Sequence, residues 1–314
     1  MSTAAGHHAT GFSQAIHGPQ ITARSWTLES AYRYCTLLTK SHYENFPVGS
    51  ALVPARLRKH FSSIYAFART ADDFADEAYD EEHGEQERLD LLEEWREMLR
   101  ATHGGQATHP VFIALAETIA RFELPLSLFE DLLTAFAQDV IVRRYQSFDQ
   151  VIDYCRRSAN PVGRLILLLF GHTDQQLHAW SDDICTALQL TNHWQDVRVD
   201  LEKDRIYLPS EDLARFDVAE GDLRSERAGE GFERLMKFEV GRARELFARG
   251  KPLCTSVGGR FGLELRAVWL GGTRILDRIE QNGFDVLTRR PVITNGDKLK
   301  ILYQAAVSAG FGPY

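Results

Sequence analysis

The sequence lacks a long apolar run, closely paired cysteines and a signal peptide. Its longest apolar block, residues 165–170, is far shorter than the roughly 20 residues that cross a bilayer. The first 25 residues are small and polar, without the apolar core of a secretory signal. We therefore expect a disordered tail over 1–25 and a cytoplasmic protein whose four scattered cysteines are reduced and mostly buried.

Strand patterns and glycine-rich phosphate loops are also missing. No stretch alternates apolar and polar residues over a useful length, which argues against a dinucleotide-binding fold or a P-loop. The net charge is −8 and no basic stripe carries interleaved aromatics, which argues against a nucleic-acid partner. Helical spacing runs through most of the chain instead, and no boundary divides it, so we predict one all-α domain over 26–314.

The predicted helices follow the apolar periodicity and end near glycine or proline. They cover 28–40, 53–79, 85–101, 109–122, 126–145, 148–171, 174–202, 232–250 and 259–281. Residues 210–231 are polar and predict a loop with a short helix.

The first chemical motif is ADDFADE at 71–77, at the end of a predicted helix. On helical spacing, Asp72 and Asp76 continue the apolar stripe of Phe61, within roughly 60° of it, whereas Asp73 points to one side. An inward carboxylate is costly unless something binds it, and two carboxylates about 6 Å apart suit Mg²⁺. The alternative is a solvated acidic patch, because Asp80, Glu81 and Glu82 follow.

The second motif is QLTNHWQDVRVD at 189–200. Four oxygen-bearing side chains share an arc of about 80° on one helix: Gln189, Asn192, Asp196 and Asp200. An oxygen-only set favours magnesium over zinc. His193 lies off the arc and is predicted to be structural or exposed. A polar helix flank is the alternative, but two such motifs in one chain favour facing halves of a site that binds a diphosphate through magnesium.

Four segments carry a resemblance to a known family. They are SHYENFPVGSALVP at 41–54, YAFARTADDFADE at 65–77, YCRRSANPVG at 154–163 and QLTNHWQDVRVDLEKDRIYLP at 189–209. In order and spacing the chain resembles the squalene/phytoene synthases, head-to-head prenyl transferases. That resemblance implies an all-α isoprenoid synthase bundle around a central cavity, and a prenyl diphosphate substrate.

The resemblance also implies roles for individual residues. Asp72, Asp76, Asn192, Asp196 and Asp200 match the ligands of the magnesium–diphosphate cluster. Arg69 and Arg205 match diphosphate contacts, and Arg290 does so more loosely. Tyr65 and Tyr154 match tyrosines of the reaction chamber. The expected substrate-binding residues are His42, Tyr43, Asn45, Phe46, Ser158, Ala159, Val162 and Gln189, besides Arg290.

Some of these roles have plain alternatives. Arg69 could simply neutralise Asp72 or Asp73, and Tyr154 could be a core tyrosine with a satisfied hydroxyl. Helical spacing places Tyr154, Ser158, Val162 and Ile166 on one side, as a cavity wall would require.

Departures from the family pattern narrow the expected reaction. Val199 stands where a carboxylate is usual, and Ala159 precedes Asn160-Pro161 instead of glycine. Three segments, ENFPVGSALVP, SANPVG and TNHWQDVRVDL, resemble the bacterial hydroxysqualene synthases of the hopanoid pathway. This branch implies presqualene diphosphate as substrate and a water quench, without NADPH. Asn-Pro predicts a helix kink more readily than a water site, so Tyr43, Asn45 or Ser158 is the expected orienting group.

Other readings stay open. The chain could instead form squalene, presqualene diphosphate or phytoene, or could be an assembly factor without catalysis. An apolar substrate and product imply peripheral contact with the inner membrane surface, and neighbouring hopanoid-pathway enzymes as partners. Residues 284–314 hold four basic residues among aliphatic ones, Arg289, Arg290, Lys298 and Lys300. This segment predicts either an interfacial contact or a last helix packed on the core.

Overall fold

Helices form nearly all of the regular structure in the computed structural model, which describes residues 26–41, 53–75, 84–225 and 228–307. Within these ranges the one β-type pairing is an isolated parallel bridge between Arg144 and Ile206. The all-α prediction is therefore confirmed. The chain divides after Ile141 into two compact units. The predicted single domain stays a prediction, and the predicted tail over 1–25 lies outside the described residues.

The first unit is organised around its second helix. Its helices are α1 (Leu28–Ser41), α2 (Ala55–Ala75), α3 (Glu85–Ala101), α4 (Pro110–Phe122) and α5 (Leu126–Ile141). Helix α2 packs against each of the other four. Its Phe67 ring lies 6.2 Å from Trp95 of α3 and 6.0 Å from Phe112 of α4, between ring centres. These aromatic contacts, worth about 0.5–1.5 kcal/mol each beyond burial, form the core of the unit.

The start of α4 shows how local sequence sets a helix boundary. The backbone N–H of Val111 donates to His109 Nδ1 at 3.3 Å, and Pro110 occupies the first turn, where its missing N–H costs nothing. The helix ends where Glu123 adopts a left-handed conformation with φ +52°.

The second unit is organised around α8. Its helices are α6 (Phe148–Ser158), α7 (Asn160–Leu169), α8 (Gln175–Gln195), α9 (Val197–Glu202), α10 (Ser210–Arg215), α11 (Glu230–Gly250), α12 (Leu253–Ser256), α13 (Gly259–Gln281) and α14 (Asn295–Val307). Helix α8 packs against α6, α7, α11 and α13. Gly250 lets α11 approach α8 closely, because a Cβ there would lie 2.8 Å from the carbonyl oxygen of Trp180.

Three predicted helices differ from the observed ones. The predicted 126–145 helix ends at Ile141. The predicted 148–171 helix is two helices, α6 and α7, and 174–202 is also two, α8 and α9. Pro161 explains the first division, because proline has no N–H to continue the hydrogen-bond ladder across Ala159.

The remaining sequence-based expectations concern thiols and membranes. All four cysteines are free, and Cys35, Cys155 and Cys254 are buried, as predicted. Burial raises the pKa of Cys185 and Cys254 to about 11, so both stay protonated thiols. Among the described residues, no helix combines the length and apolarity that a membrane span requires.

Candidate active site

The first acidic motif lies in the last turns of α2, the central helix of the first unit. Arg69 Nη1 donates to Asp72 Oδ2 at 2.9 Å, and its other terminal nitrogen pairs with Asp73. The Asp73 side chain is only 8% exposed, whereas that of Asp72 is 48% exposed. The predicted orientation, with Asp72 inward and Asp73 to one side, is therefore wrong.

The reason lies in the packing around α2. Helices on several sides bury Phe67, Ala71 and Phe74 completely. The predicted stripe instead forms a half-buried face that runs through Phe61, Tyr65, Ala68 and Asp72. Asp72 does continue the line of Phe61 and Tyr65, but this line is the partly open side of the helix. An apolar, half-open face that ends in a carboxylate and an arginine suits an amphipathic ligand with an anionic end.

Tyr65 occupies this face one turn before Arg69. Burial raises the pKa of its hydroxyl; the Arg69 charge lowers it and those of Asp73 and Asp72 raise it. The phenol is therefore neutral near pH 7 and lies within electrostatic reach of the acidic turn.

Arg88 of α3 supports the same turn and was missed by the sequence analysis. Its side chain is fully buried, and it donates to the carbonyl oxygens of Phe74 at 3.3 Å and Ala75 at 2.7 Å. Both carbonyls belong to the last turn of α2 that the structure describes, so Arg88 ties this turn to α3. A signal was present, because Arg88 falls on the buried stripe that Leu92, Trp95 and Leu99 form on α3.

The second motif spans the junction of α8 and α9 in the second unit. The helix bends at Asp196, whose φ and ψ are −106° and 14°. Hydrogen bonds nonetheless continue the register, from Asp196 N to Asn192 O at 2.9 Å and from Asp200 N to Asp196 O at 2.8 Å. Asn192, Asp196 and Asp200 therefore keep their one-turn spacing in spite of the bend.

Two arginines accompany these carboxylates. Arg290 donates through Nε and Nη2 to the two carboxylate oxygens of Asp196, with an Nη2–Oδ2 distance of 3.1 Å. The hydrogen bond to Asp196 raises the pKa of Arg290, and the charges of Asp196 and Asp200 raise it further. Arg205 lines a small pocket beside Asp200, and its backbone N–H donates to the Asp200 carbonyl at 2.8 Å. The structure thus brings together the acidic and basic residues that the family resemblance assigned to the second motif.

An aromatic cluster lies next to this pocket. The Tyr154 ring is buried, with its centre 5.9 Å from Tyr145 and 5.8 Å from Tyr207. His193 stacks on Tyr207 at 3.6 Å and is buried, so it is structural as predicted and not exposed. The sequence analysis missed Tyr145 and Tyr207. The short pairing of 143–145 with 205–207 brings them here.

Gln189 contacts the same histidine. Burial lowers the pKa of His193 to about 3, so the ring is neutral. The Gln189 amide nitrogen lies 3.3 Å from His193 Nε2, and a neutral imidazole can accept its hydrogen bond. This contact orients the Gln189 amide and holds the ring against Tyr207.

The segment around the α6–α7 break places the remaining candidates. Tyr154 is buried, whereas Val162 is 42% exposed, so the predicted wall does not run as one helix side across Ala159. Asn160 is buried and accepts a hydrogen bond from Thr186 Oγ1 at 2.9 Å, which joins α7 to α8. The kink interpretation is confirmed. The Ser158 hydroxyl is buried and makes no hydrogen bond within the described part of the chain.

Five of the predicted site residues lie outside the described residues, namely His42, Tyr43, Asn45, Phe46 and Asp76. Their predicted roles stay predictions.

The residues present fit an oxygen-ligated cation. Among the described residues, no three carboxylate, imidazole or thiolate groups meet at one point. Asn192, Asp196 and Asp200 supply oxygen donors on successive turns, with the one nearby imidazole engaged by Gln189. Such a set suits Mg²⁺, which usually takes one or two protein carboxylates and completes its shell with phosphate and water.

This fold and these residues define a class, an all-helical protein with arginines paired to carboxylates on oxygen-rich helix turns. The sequence matches the family model "Squalene/phytoene synthase" over residues 39–297. The chain therefore belongs to the squalene/phytoene synthase family. Its activity is of that family's prenyl transferase type, and the prediction of an enzyme of isoprenoid biosynthesis is confirmed.

Individual relatives agree with this membership. Hydroxysqualene synthase of Rhodopseudomonas palustris is 35% identical over 239 residues, or 76% of this chain and 80% of that protein. Phytoene synthase of Arthrospira platensis is 29% identical over 296 residues, or 90% of this chain and 94% of that protein. The crystal structure of squalene synthase HpnC from Alicyclobacillus acidocaldarius superimposes with a TM-score of 0.77 at 42% identity, covering 82% of this chain and 95% of that one.

Proposed function

We propose that this enzyme ionises presqualene diphosphate and captures the rearranged cation with water, which yields hydroxysqualene and diphosphate. The observation that carries this proposal is the higher identity to relatives named hydroxysqualene synthase or squalene synthase HpnC, at 33–42%, than to the relatives named phytoene synthase, at 29–32%. The segments SANPVG and TNHWQDVRVDL, which resemble hydroxysqualene synthases, include the α6–α7 break and the α8–α9 bend.

Loss of diphosphate needs its growing negative charge to be neutralised. We assign this to Arg69 in the first unit and to Arg205 and Arg290 in the second. The planar guanidinium group of arginine matches phosphate geometry. Asp72, Asp76, Asn192, Asp196 and Asp200 would hold Mg²⁺. When bound, Mg²⁺ supplies Lewis-acid neutralisation of the leaving group without proton transfer.

In the resting protein Asp72 and Asp196 are each paired with an arginine. Arg69 neutralises Asp72 and Asp73, and Arg290 neutralises Asp196. In the proposed reaction the arginines would turn to the diphosphate, which would leave Asp72 and Asp196 available to hold Mg²⁺.

The carbocation that forms needs apolar and aromatic surroundings. Departure of diphosphate takes the electron pair of the C–O bond, and the cation is stabilised by the faces of electron-rich rings. Tyr65 on the half-open face of α2 and Tyr154 in the aromatic cluster are the rings that we assign to this role. Water then forms the new C–O bond at the rearranged carbon and loses a proton, with no hydride needed.

Ser158 is the described residue best suited to orient that water. Its hydroxyl is buried without a hydrogen-bond partner among the described residues, which is costly unless a ligand or water satisfies it. It lies one turn after Tyr154 on α6. Tyr43 and Asn45 stay alternatives from the sequence.

Product analysis tests the proposal directly. Purified protein is incubated with presqualene diphosphate and Mg²⁺, with and without NADPH, and the products are identified by mass spectrometry. Hydroxysqualene in both conditions is expected, whereas squalene that requires NADPH would contradict the water quench. Ser158→Ala should raise the fraction of products without oxygen, and Ser256→Ala, an exposed serine of α12, serves as the matched control.

A phytoene synthase is the second candidate. The family relatives named phytoene synthase from Arthrospira platensis and two other cyanobacteria align over 88–90% of this chain, more than the hydroxysqualene synthases do. Incubation with geranylgeranyl diphosphate separates the two, because only this second candidate converts it to phytoene.

Further expectations from the sequence belong to the same proposal. The two acidic motifs would serve one diphosphate, so alanine variants of Asp72 and Asp196 should have non-additive effects on Mg²⁺ binding measured by calorimetry. Apolar substrates and products favour peripheral contact with the cytoplasmic side of the inner membrane and with neighbouring hopanoid-pathway enzymes. NADPH is not expected as a cofactor.

A further inference from the structure

The last helix, α14, exposes its apolar side. Leu299 and Tyr303 are 71% and 70% exposed, and Leu302 and Val307 are exposed beside them. At 100° per residue these four side chains span about 140° of the helix surface. We call them the C-terminal apolar face. Soluble proteins scatter single exposed apolar residues, whereas a contiguous face of this kind marks a contact site.

The opposite side of α14 is held to α13 by polar contacts. Asp297 is buried and accepts hydrogen bonds from Arg274 at 2.7 Å and Arg278 at 2.7 Å. Arg266 donates to the carbonyl oxygen of Ala305 at 2.9 Å. This helix therefore departs from the usual arrangement, because a charged residue, Asp297, is buried while its large apolar residues Leu299 and Leu302 are exposed. Since the inner side is fixed by paired charges, α14 cannot rotate its leucines inward without breaking them.

Basic side chains lie on both sides of the C-terminal apolar face. Helical spacing places Lys298 and Lys300 about 100° to either side of Leu299, so that they border the face. Helix α14 itself carries two basic residues, the exposed Lys298 and Lys300, and one acidic residue, Asp297. Because Asp297 is paired internally, the local surface is basic. An apolar face bordered by lysines is typical of helices that lie in an anionic membrane interface.

A neighbouring cavity extends the apolar surface. It has a volume of about 330 Å³ and lies between α12, α13 and α14. Trp269, Leu270, Tyr303 and Val307 line it, and the Lys251 ammonium lies 5.3 Å from the centre of the Trp269 ring. Two of the lining residues belong to the C-terminal apolar face, so the face and the cavity are continuous. An aromatic next to a lysine is the pairing found at the headgroup level of bilayers.

We infer that the C-terminal apolar face docks on a lipid bilayer that contains anionic headgroups. Leu299, Leu302 and Tyr303 insert among the lipid chains, while Lys298 and Lys300 contact phosphate groups. The basic border and the continuous apolar surface carry this inference. The inference rests on the proposed function only for the reason to bind a membrane: a very apolar substrate would reach the enzyme through the bilayer.

Vesicle sedimentation tests the inference without any activity measurement. The full chain is incubated with sucrose-loaded vesicles of phosphatidylcholine, either alone or with roughly a third of phosphatidylglycerol, an anionic lipid that gives the vesicle a negative surface potential. We expect binding to the anionic vesicles. Leu299→Gln combined with Tyr303→Gln should weaken it at least about tenfold. The double variant Lys298→Gln/Lys300→Gln should weaken vesicle binding about fivefold for each lysine removed. High salt should also weaken binding, because it screens these charges.

Matched controls come from elsewhere in the chain. Leu37→Gln with Ile141→Gln removes two exposed apolar residues, and Lys40→Gln with Lys237→Gln removes two exposed lysines. Both controls should bind as the wild type does. Wild-type protein that stays in the supernatant with both vesicles, or α14 variants that bind normally, would overturn the inference. So would light scattering that shows a dimer lost in Leu299→Gln/Tyr303→Gln, because the face would then contact a second copy. Retained binding in a chain without product formation would count against the proposed function alone.

Discussion

Arg88 offers a sharp test of how the first acidic turn is held. Replacing Arg88 by methionine keeps most of the buried volume but removes the donors that reach the Phe74 and Ala75 carbonyls. Hydrogen bonds from a charged donor contribute about 1.5–3 kcal/mol each. Loss of both destabilises the fold by about 3–6 kcal/mol. Part of this is offset, because the variant no longer has to desolvate a buried guanidinium. We expect a net destabilisation of about 3 kcal/mol.

Urea unfolding followed by circular dichroism measures this loss. With a denaturant slope of about 2 kcal/mol per molar, the midpoint should fall by about 1.5 M. Arg88→Lys keeps the charge but reaches one carbonyl at most, so its midpoint should lie about halfway. Hydrogen exchange of the amides in 71–75 should also quicken, because the last turn of α2 loses its outside partner.

The control is Arg33→Met, whose side chain is 71% exposed and pairs only with Glu29 on the same helix. Such a surface pair contributes about 0.3–0.5 kcal/mol. If Arg88→Met unfolded at the same urea concentration as Arg33→Met, the assignment of Arg88 as a residue that holds the acidic turn of α2 would be refuted.

Three further outcomes are expected. Burial beside Asp212 raises the pKa of Glu239 from an ordinary 4.5 to about 8. The folded protein therefore binds this proton more tightly than the unfolded chain, and the resulting stabilisation is fully present below pH 4.5 and lost as the pH rises through 8. In the wild type the free energy of unfolding should fall between pH 5 and 8 by at most about 1.4 kcal/mol per pH unit because of this group. Glu239→Gln should reduce that fall, and equal slopes in the two proteins would contradict the assignment. Asp196→Asn should lower diphosphate release about a hundredfold, as loss of one preorganised electrostatic group does, while Asp277→Asn, a surface partner of Arg244, should not. Dialysis against EDTA should stop release and Mg²⁺ should restore it, whereas turnover that persists in EDTA would exclude the proposed cation.

The helices were predictable because their signal is local. Apolar residues at helical spacing specify a helix wherever it packs, and proline or glycine marks its end. Pro161 predicted a kink near Ala159, but not the division of 148–171 into two helices. The bend at Asp196 had no such breaker, and here hydrogen bonds from Asp196 and Asp200 kept the one-turn spacing on which the metal prediction depends.

The orientation of the acidic turns was less predictable. The sequence analysis placed Asp72 inward by extending one apolar stripe, but α2 is surrounded by four helices, and Asp73 is the buried carboxylate. A single stripe identifies the buried side only when a helix packs on one side. Arg88 was missed for a related reason, because a buried arginine depends on carbonyl groups of another helix.

By itself, the sequence determined the helical class, the two oxygen-rich motifs and the family, since each depends on residues a few positions apart. Only the tertiary structure decided which carboxylates are buried, that Arg290 pairs with Asp196 across 94 positions, and that α14 exposes its leucines. The physical reason is that spacing along a helix is set by the backbone of that helix. Burial and charge pairing are set by whichever distant segments pack against it.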